Sequence, residues 1–165
     1  MSNEVYGFAD FNDPTACPSD RVAILKRSTS LGIEEIAPNE LYNFPSMYQP
    51  ASNSMVFMVT DRAGSRNATY LIDFENYSPN ANIGLPVDAR ERLELLIAVI
   101  ESLFTACTAG RVCIAVTDSS QIEECKTATP ESIRSLLRAD FEQLAPPCCL
   151  YIIEHGAEST KAEHN

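Results

Sequence analysis

The sequence predicts an α+β domain, with a single mixed sheet of about five strands that includes a β-hairpin and is covered by one long and one medium helix. In residues 88–107 apolar side chains recur at spacings of three and four, the period of an amphipathic helix. Two β-rich runs, 55–60 and 68–74, flank a polar connection with Gly64 at its middle, a pattern typical of a hairpin. The continuous apolar run at 111–117 indicates a strand covered on both faces.

The long helix is expected to anchor the core. Its apolar stripe consists of Leu93, Leu96, Ile97, Ile100, Leu103 and Phe104. Each large aliphatic side chain removed from water contributes about 1.5 to 3 kcal/mol, so the whole stripe should be buried. Gly110 follows the helix, and we expect it to end the helix in left-handed backbone conformation.

The first fifty residues predict only short elements. Residues 1–20 combine glycine and prolines with small and acidic residues, and predict a loosely ordered arm. The apolar run at 21–26 (RVAILK) is bounded by turn residues and predicts a strand. Residues 32–44 predict one or two helical turns interrupted by Pro38, and residues 44–54 have loop composition. Three residues of this loop are expected to be exposed anchors: Phe44, Met47 and Tyr48.

The C-terminal third predicts a loop, the medium helix and a last strand. Residues 118–128 are polar and indicate a loop with one helical turn. Thr129, followed by proline and glutamate, is a typical helix start because the hydroxyl can cap the helix. The apolar run at 148–153 is the last predicted strand, and residues 156–165 should be disordered. Residues 21–155 therefore form the one predicted domain.

The charge of the chain excludes two classes of partner. Among 165 residues there are 23 acidic and 12 basic side chains, which gives a net charge of -11 and a pI near 4.5. Nucleic acids and anionic membrane surfaces are bound through clustered Lys and Arg, so neither is expected as a partner. The acidic excess lies at the two ends, since residues 1–50 have seven acids against three bases and residues 118–165 nine against four.

The six cysteines are expected to be free thiols. The first residues, MSNEVYGFADFNDP, have acids where a secretory signal has Lys or Arg, and no apolar run reaches the length of a membrane span. A cytoplasmic location is therefore expected, and cytoplasmic cysteines are usually reduced. Neither a Cys-x-x-Cys pair nor a glycine-rich phosphate loop occurs, so we expect no metal and no nucleotide cofactor.

One alternative is an enzyme that uses a divalent cation. Strand alternation puts Asp73 and Glu75 on the same side at the end of a predicted strand, and Asp118 ends the strand after the next helix. Carboxylates that meet at one end of a sheet are ligands for Mg²⁺. The segment LIDFEN around Asp73 resembles the first strand motif of PIN-like and NYN-type metal-dependent ribonucleases. The resemblance implies that Asp73 is a metal ligand with Asn76 as its neighbour.

The chain departs from that ribonuclease pattern in two ways. In the family the motif opens the domain, whereas here two or three predicted elements precede it. The later acidic strand motif is also missing, because the acids that follow, Asp140 and Glu142, lie in a predicted helix.

The leading prediction is a non-enzymatic protein that binds another protein with a basic site. Acidic loops that also contain aromatic anchors are suited to this, because anchors supply affinity and charge supplies the association rate. The predicted contacts are Asp73, Glu75, Asp118, Glu123, Glu124, Tyr48 and Tyr77. In size, charge and lack of a catalytic set the chain is similar to bacterial immunity proteins and antitoxins, which neutralise a toxin by covering its active site. A self-assembling subunit is a third alternative.

Overall fold

The computed structural model describes residues 3–28 apart from 14 and 16, and residues 31–60, 89–143 and 147–156. In these residues the chain has the predicted α+β fold, with one mixed sheet of six strands and three helices, one more of each than expected. The strands are β1 (Asn3–Phe11), β2 (Gly32–Glu35), β3 (Met55–Thr60), β4 (Ala109–Asp118), β5 (Glu124–Ala128) and β6 (Cys149–Glu154). The helices are α1 (Pro18–Ser28), α2 (Ala89–Thr105) and α3 (Ile133–Asp140).

The strand order in the sheet is β2-β3-β1-β4-β6-β5. Every neighbouring pair is antiparallel except β5 and β6, which run parallel. A parallel pair needs a crossover, and α3 supplies it between these two strands. Strands β2 and β5 are therefore at the two edges of the described sheet, and β1 and β4 are at its centre.

The prediction of a loosely ordered N-terminal arm is wrong for residues 3–11. These residues form β1, which is paired with β3 on one side and with β4 on the other. Val5 and Ala9 are fully buried against the helices, and Phe8 is fully buried on the opposite face. Gly7, one of the residues that indicated a loose arm, instead allows close approach of the β4 backbone.

Residues 21–26 belong to helix α1 and not to a strand. Helix α1 buries one face, which is formed by Arg21, Val22 and Leu25. These residues are one and three positions apart, so they lie on the same side of the helix. The guanidinium of Arg21 lies 3.6 Å from the ring centroid of Phe11, so its charge is placed over an aromatic face. The run was too short for its period to distinguish a helix from a strand.

Residues 32–40 and 118–128 also differ from their predictions. Residues 32–35 form β2, and Pro38 begins a single 3-10 turn instead of interrupting a helix. Residues 124–128 form β5, which is held by parallel pairing with β6. Because β5 contains Glu124 and Lys126, its composition resembles a loop, and only the pairing with a distant strand makes it a strand.

Helix α2 has the predicted stripe, but it ends differently. All members of the stripe are buried except Phe104, which is half-buried. The amide N–H groups of Ala106 and Cys107 both donate to the Ser102 carbonyl, and the left-handed residue is Thr108 with φ 56°. Gly110 lies within β4, so its predicted role as the end of the helix is wrong.

The predicted runs at 55–60, 111–117 and 148–153 are confirmed as strands or parts of strands, although Cys148 itself precedes β6. The Thr129 hydroxyl oxygen accepts the Ser132 N–H at 3.2 Å, but α3 begins at Ile133 with Ser132 as its N-cap, so the predicted helix start at Thr129 is three residues too early. The second strand of the predicted hairpin, residues 68–74, and the predicted tail beyond residue 156 lie outside the described residues. In the part of the chain that is described, no helix is both long and apolar enough to cross a membrane.

The sheet has a hydrophobic core on each face. The three helices cover one face. The loop at 36–54 covers part of the other face, where Phe44 packs on Tyr6 and Phe8 with ring centroids 5.5 and 6.0 Å apart. Phe44 is therefore buried and not the exposed anchor that was predicted, and Tyr48 is partly buried against the same core. Met47 is exposed as predicted.

Candidate functional site

A groove of about 330 Å³ lies at the end of the sheet where β4 finishes and the chain turns towards β5. It is formed by the β4–β5 connection together with one residue of the loop at 36–54. Its lining residues are Asn43, Ser119, Gln121, Ile122 and Glu123. We refer to it as the β4–β5 groove.

The β4–β5 connection starts with a tight turn. The N–H of Gln121 donates to the Asp118 carbonyl at 3.3 Å, and the two central residues, Ser119 and Ser120, have φ of 55° and 59°. Positive φ at both central positions is a feature of the type I′ turn, which glycine and asparagine usually occupy. Left-handed backbone at a residue with a Cβ costs about 1 to 2 kcal/mol, so other contacts must hold this turn.

Three separate segments hold the connection in place. The Ser120 hydroxyl donates to the carboxylate of Glu4 in β1, and the Ser120 carbonyl accepts a 2.6 Å hydrogen bond from the side-chain amide of Asn43. Further along, the Glu123 N–H donates to the Cys148 carbonyl at 2.8 Å, just before β6. These contacts fix the groove before any ligand arrives, which lowers the entropy lost on binding.

Two carboxylates beside the groove, those of Asp118 and Glu123, have no ion pair with another described residue. Glu123 is exposed and Asp118 is half-exposed. Among the described residues, no cationic side chain lies within ion-pair distance of either one. Glu124 is exposed as well, but its carboxylate is ion-paired with Lys126 at 3.6 Å. Negative charge is therefore available to a partner at this end of the sheet.

Three carboxylates elsewhere on the described surface, those of Asp10, Glu94 and Glu101, are ion-paired with arginines. Asp10 accepts from Arg111 at 3.0 Å. On the helical face, Glu94 of α2 accepts from both Arg134 and Arg138 of α3. The hydrogen bond from Arg138 holds the pKa of Glu94 below its usual value. These acids stabilise contacts within the protein and contribute little to recruiting a basic partner.

Two large apolar side chains are exposed on the loop that borders the groove. Tyr42 is 55% exposed and Met47 is 72% exposed. The Tyr42 carbonyl accepts a 2.8 Å hydrogen bond from the Tyr6 hydroxyl, which fixes the backbone of the loop at this point. Burial of Tyr6 raises the pKa of its hydroxyl to about 12, so the donor stays protonated at neutral pH.

The structure brings together part of the predicted contact set. Glu123 lies in the β4–β5 connection and lines the groove, with Asp118 at the end of β4 and Glu124 at the start of β5 on either side of the connection, whereas Tyr48 mainly packs against the core. Asp73, Glu75 and Tyr77 lie outside the described residues, so their part in the contact set stays a prediction. The same holds for the metal site that was predicted from Asp73, Glu75 and Asp118. Within the ranges that the structure describes, no three Asp, Glu, His or Cys side chains form a group able to hold a metal ion.

Sequence reasoning missed Tyr42, Asn43 and the two left-handed serines. Tyr42 and Asn43 precede the predicted anchor Phe44, and an asparagine in a loop is a common left-handed residue; Asn43 has φ of 65°. This signal predicts a turn at Asn43. It does not predict the contact of Asn43 with Ser120, because the two residues are 77 positions apart in sequence.

Burial makes three of the cysteines unsuited to act as activated thiols. All six are free, and Cys17 and Cys125 are exposed. Burial raises the pKa of Cys113 and of Cys149 to about 12, and desolvation also raises that of Cys125. A reactive cysteine needs a lowered pKa, so these three thiols are unsuited to act as nucleophiles at neutral pH.

A second groove, of about 560 Å³, lies between α2 and the start of α3. It contains Glu101, which is ion-paired with Arg134, and Glu131, whose carboxylate lies 4.0 Å from the His155 imidazole. The ring of Phe104 meets His155 edge-on, with centroids 5.7 Å apart. Glu101 already has an arginine partner within the protein, whereas Glu123 of the β4–β5 groove has no ion pair among the described residues, so the β4–β5 groove is the stronger candidate for binding a basic ligand.

Comparison with protein-family models, with curated protein sequences and with solved structures finds no match to this chain.

Proposed function

We propose that this protein binds another protein through the sheet end that contains the β4–β5 groove, and that it inhibits this partner by covering a basic site. A toxin-neutralising immunity protein or antitoxin is the class that fits this description. The supporting observation is that Asp118 and Glu123, which have no ion-pair partner among the described residues, lie on the same side of the sheet end as a loop that exposes Tyr42 and Met47.

The unpaired carboxylates and the exposed apolar side chains contribute to binding in different ways. Unpaired carboxylates attract a basic surface over distances of about 8 to 10 Å at moderate salt and speed the encounter. Tyr42 supplies amphipathic contact area and Met47 supplies flexible apolar contact area. Tyrosine is one of the residue types that dominate binding energy at interfaces. Inhibition requires no catalysed reaction, because a bound acidic surface excludes the partner's substrate both sterically and electrostatically.

The test is the charge reversal Glu123→Lys, matched with the control Glu35→Lys. Glu35 is also exposed and lies on β2, at the opposite edge of the sheet from β5. The wild-type chain is immobilised and the partner that it retains from native-host extract at low salt is identified by mass spectrometry. The association rate of that purified partner is then measured against salt for each variant.

We expect Glu123→Lys to slow association about tenfold at low salt and to flatten the salt dependence, and Glu35→Lys to behave as the wild type. Equal rates for both variants would contradict the proposed surface. Calorimetric titration with Mg²⁺ and Mn²⁺ tests the metal-dependent alternative. A binding isotherm that is lost in Asp73→Asn would contradict the non-enzymatic proposal.

A further inference from the structure

We propose that the β4–β5 groove binds one arginine side chain of the partner. The inference rests on the proposed function and adds to it the chemistry of the central contact.

The groove offers one carboxylate together with hydroxyl and carboxamide groups. The Glu123 carboxylate is exposed and free of ion pairs among the described residues. The side-chain nitrogen of Asn43 uses one of its two N–H groups to donate to the Ser120 carbonyl at 2.6 Å, and its amide oxygen can accept from a ligand. The Ser119 hydroxyl donates to the Asp118 carboxylate at 3.3 Å, which leaves its lone pairs as acceptors. Gln121 adds a carboxamide whose oxygen can accept and whose nitrogen can donate.

An arginine side chain is the complement of such a lining. Its guanidinium has five N–H donors in one plane and no acceptor, and it can bind a carboxylate with two parallel hydrogen bonds. A lysine ammonium has three donors on one atom and cannot reach several separated acceptors in this way. An anionic ligand would be repelled by Glu123, and no cationic side chain of the described residues lines the groove to offset that repulsion.

The size and the wall of the groove also fit one side chain. A volume of about 330 Å³ is at the lower end of the range of about 300 to 1,000 Å³ that ligand pockets occupy. Ile122 is half-buried and packs against the core, so it gives the groove an apolar wall for the methylene stem of an arginine. The fixed turn at 118–121 keeps these groups in place without the ligand.

The test uses the full chain and three capped tripeptides as probes: tri-arginine, tri-lysine and tri-citrulline. Citrulline has nearly the shape of arginine but no charge. Affinity is measured from backbone amide shifts in NMR titrations of the wild type, of Glu123→Gln and of the matched control Glu35→Gln. Both substituted residues are exposed, so the variants should fold, which their unperturbed spectra will verify.

We expect tri-arginine to bind more tightly than tri-lysine, to shift the amides of Asn43 and residues 119–123, and to bind Glu123→Gln about tenfold more weakly than Glu35→Gln. Equal affinity for tri-arginine and tri-lysine, equal losses in the two variants, or shifts centred elsewhere would each overturn the arginine site. Such a failure is distinct from failure of the proposed function, which would appear as partner association that does not depend on Glu123→Lys.

Discussion

The side-chain amide of Asn43 donates a 2.6 Å hydrogen bond to the backbone carbonyl of Ser120, and this contact joins the loop at 36–54 to the β4–β5 connection. Both residues have left-handed backbone conformation, with φ of 65° and 59°. The groove thus depends on two conformations that are unusual for residues with a Cβ, and each helps to hold the other.

Replacing Asn43 should loosen the groove without unfolding the protein. In Asn43→Gly the left-handed conformation is free of strain and only the hydrogen bond is lost, which should cost about 1 kcal/mol of unfolding free energy. Asn43→Ala should cost about 1 kcal/mol more, because alanine resists positive φ. Urea unfolding measures both values. Hydrogen exchange should show faster exchange at residues 119–123 in both variants. Unchanged exchange in that segment would mean that Asn43 does not hold the turn.

Close contact between β1 and β4 should make Gly7 intolerant of a side chain. A Cβ atom on Gly7 would lie 2.1 Å from the Cys113 carbonyl oxygen and 2.8 Å from the Ile114 Cα, both backbone atoms of the central strand pair. We expect Gly7→Ala to lower the unfolding free energy by about 3 kcal/mol or more. The matched control is Gly110→Ala, where the Cβ would meet the movable side chain of Asn12 and the loss should be smaller. Equal losses in the two variants would show that β1 and β4 can separate at Gly7.

The buried thiols should make stability fall at alkaline pH. Burial raises the pKa of Cys113 and of Cys149 from 9.0 to about 12, and it also raises the pKa of Tyr151. A group whose pKa is higher in the folded state contributes stability that is complete below its unfolded pKa and is lost as pH rises through the folded value. The stability contributed by these groups should therefore be complete below about pH 9 and decrease between pH 9 and 12.

Thermal or urea unfolding in the presence of a reductant, at a series of pH values, measures this decrease. Cys113→Ala should reduce its slope, because one of the buried acids is removed. The control Cys17→Ala, at an exposed position, should leave the slope unchanged. If the slope in Cys113→Ala equals that of the wild type, Cys113 is not a source of the alkaline instability.

The elements that could be predicted are those whose pattern is long and local. Helix α2 has six apolar residues on one stripe, and β4 is apolar along most of its length, so period and burial agree. Strands β1 and β5 could not be predicted in the same way. β1 contains a glycine and polar residues but is held on both sides by β3 and β4, and β5 depends on its pairing with β6.

The candidate site was predictable only in its charges. Asp118, Glu123 and Glu124 are close in sequence, so a polar acidic loop could be recognised before the structure. The groove itself requires Asn43 to meet Ser120, and the exposure of Tyr42 requires Phe44 to turn inwards onto Tyr6. Both are tertiary contacts between distant segments, and local sequence propensity does not predict them.

Strand β1 is the first of the six described strands to be synthesised. Its partner β4 is far along the chain, and Asn3 pairs with Asp118. During synthesis β1 therefore leaves the ribosome long before that neighbour exists. Until β4 emerges, one edge of an apolar strand is open to pairing with other chains, which is the situation in which chaperones become necessary. We therefore expect slow refolding from denaturant, and aggregation when synthesis is fast relative to chaperone supply.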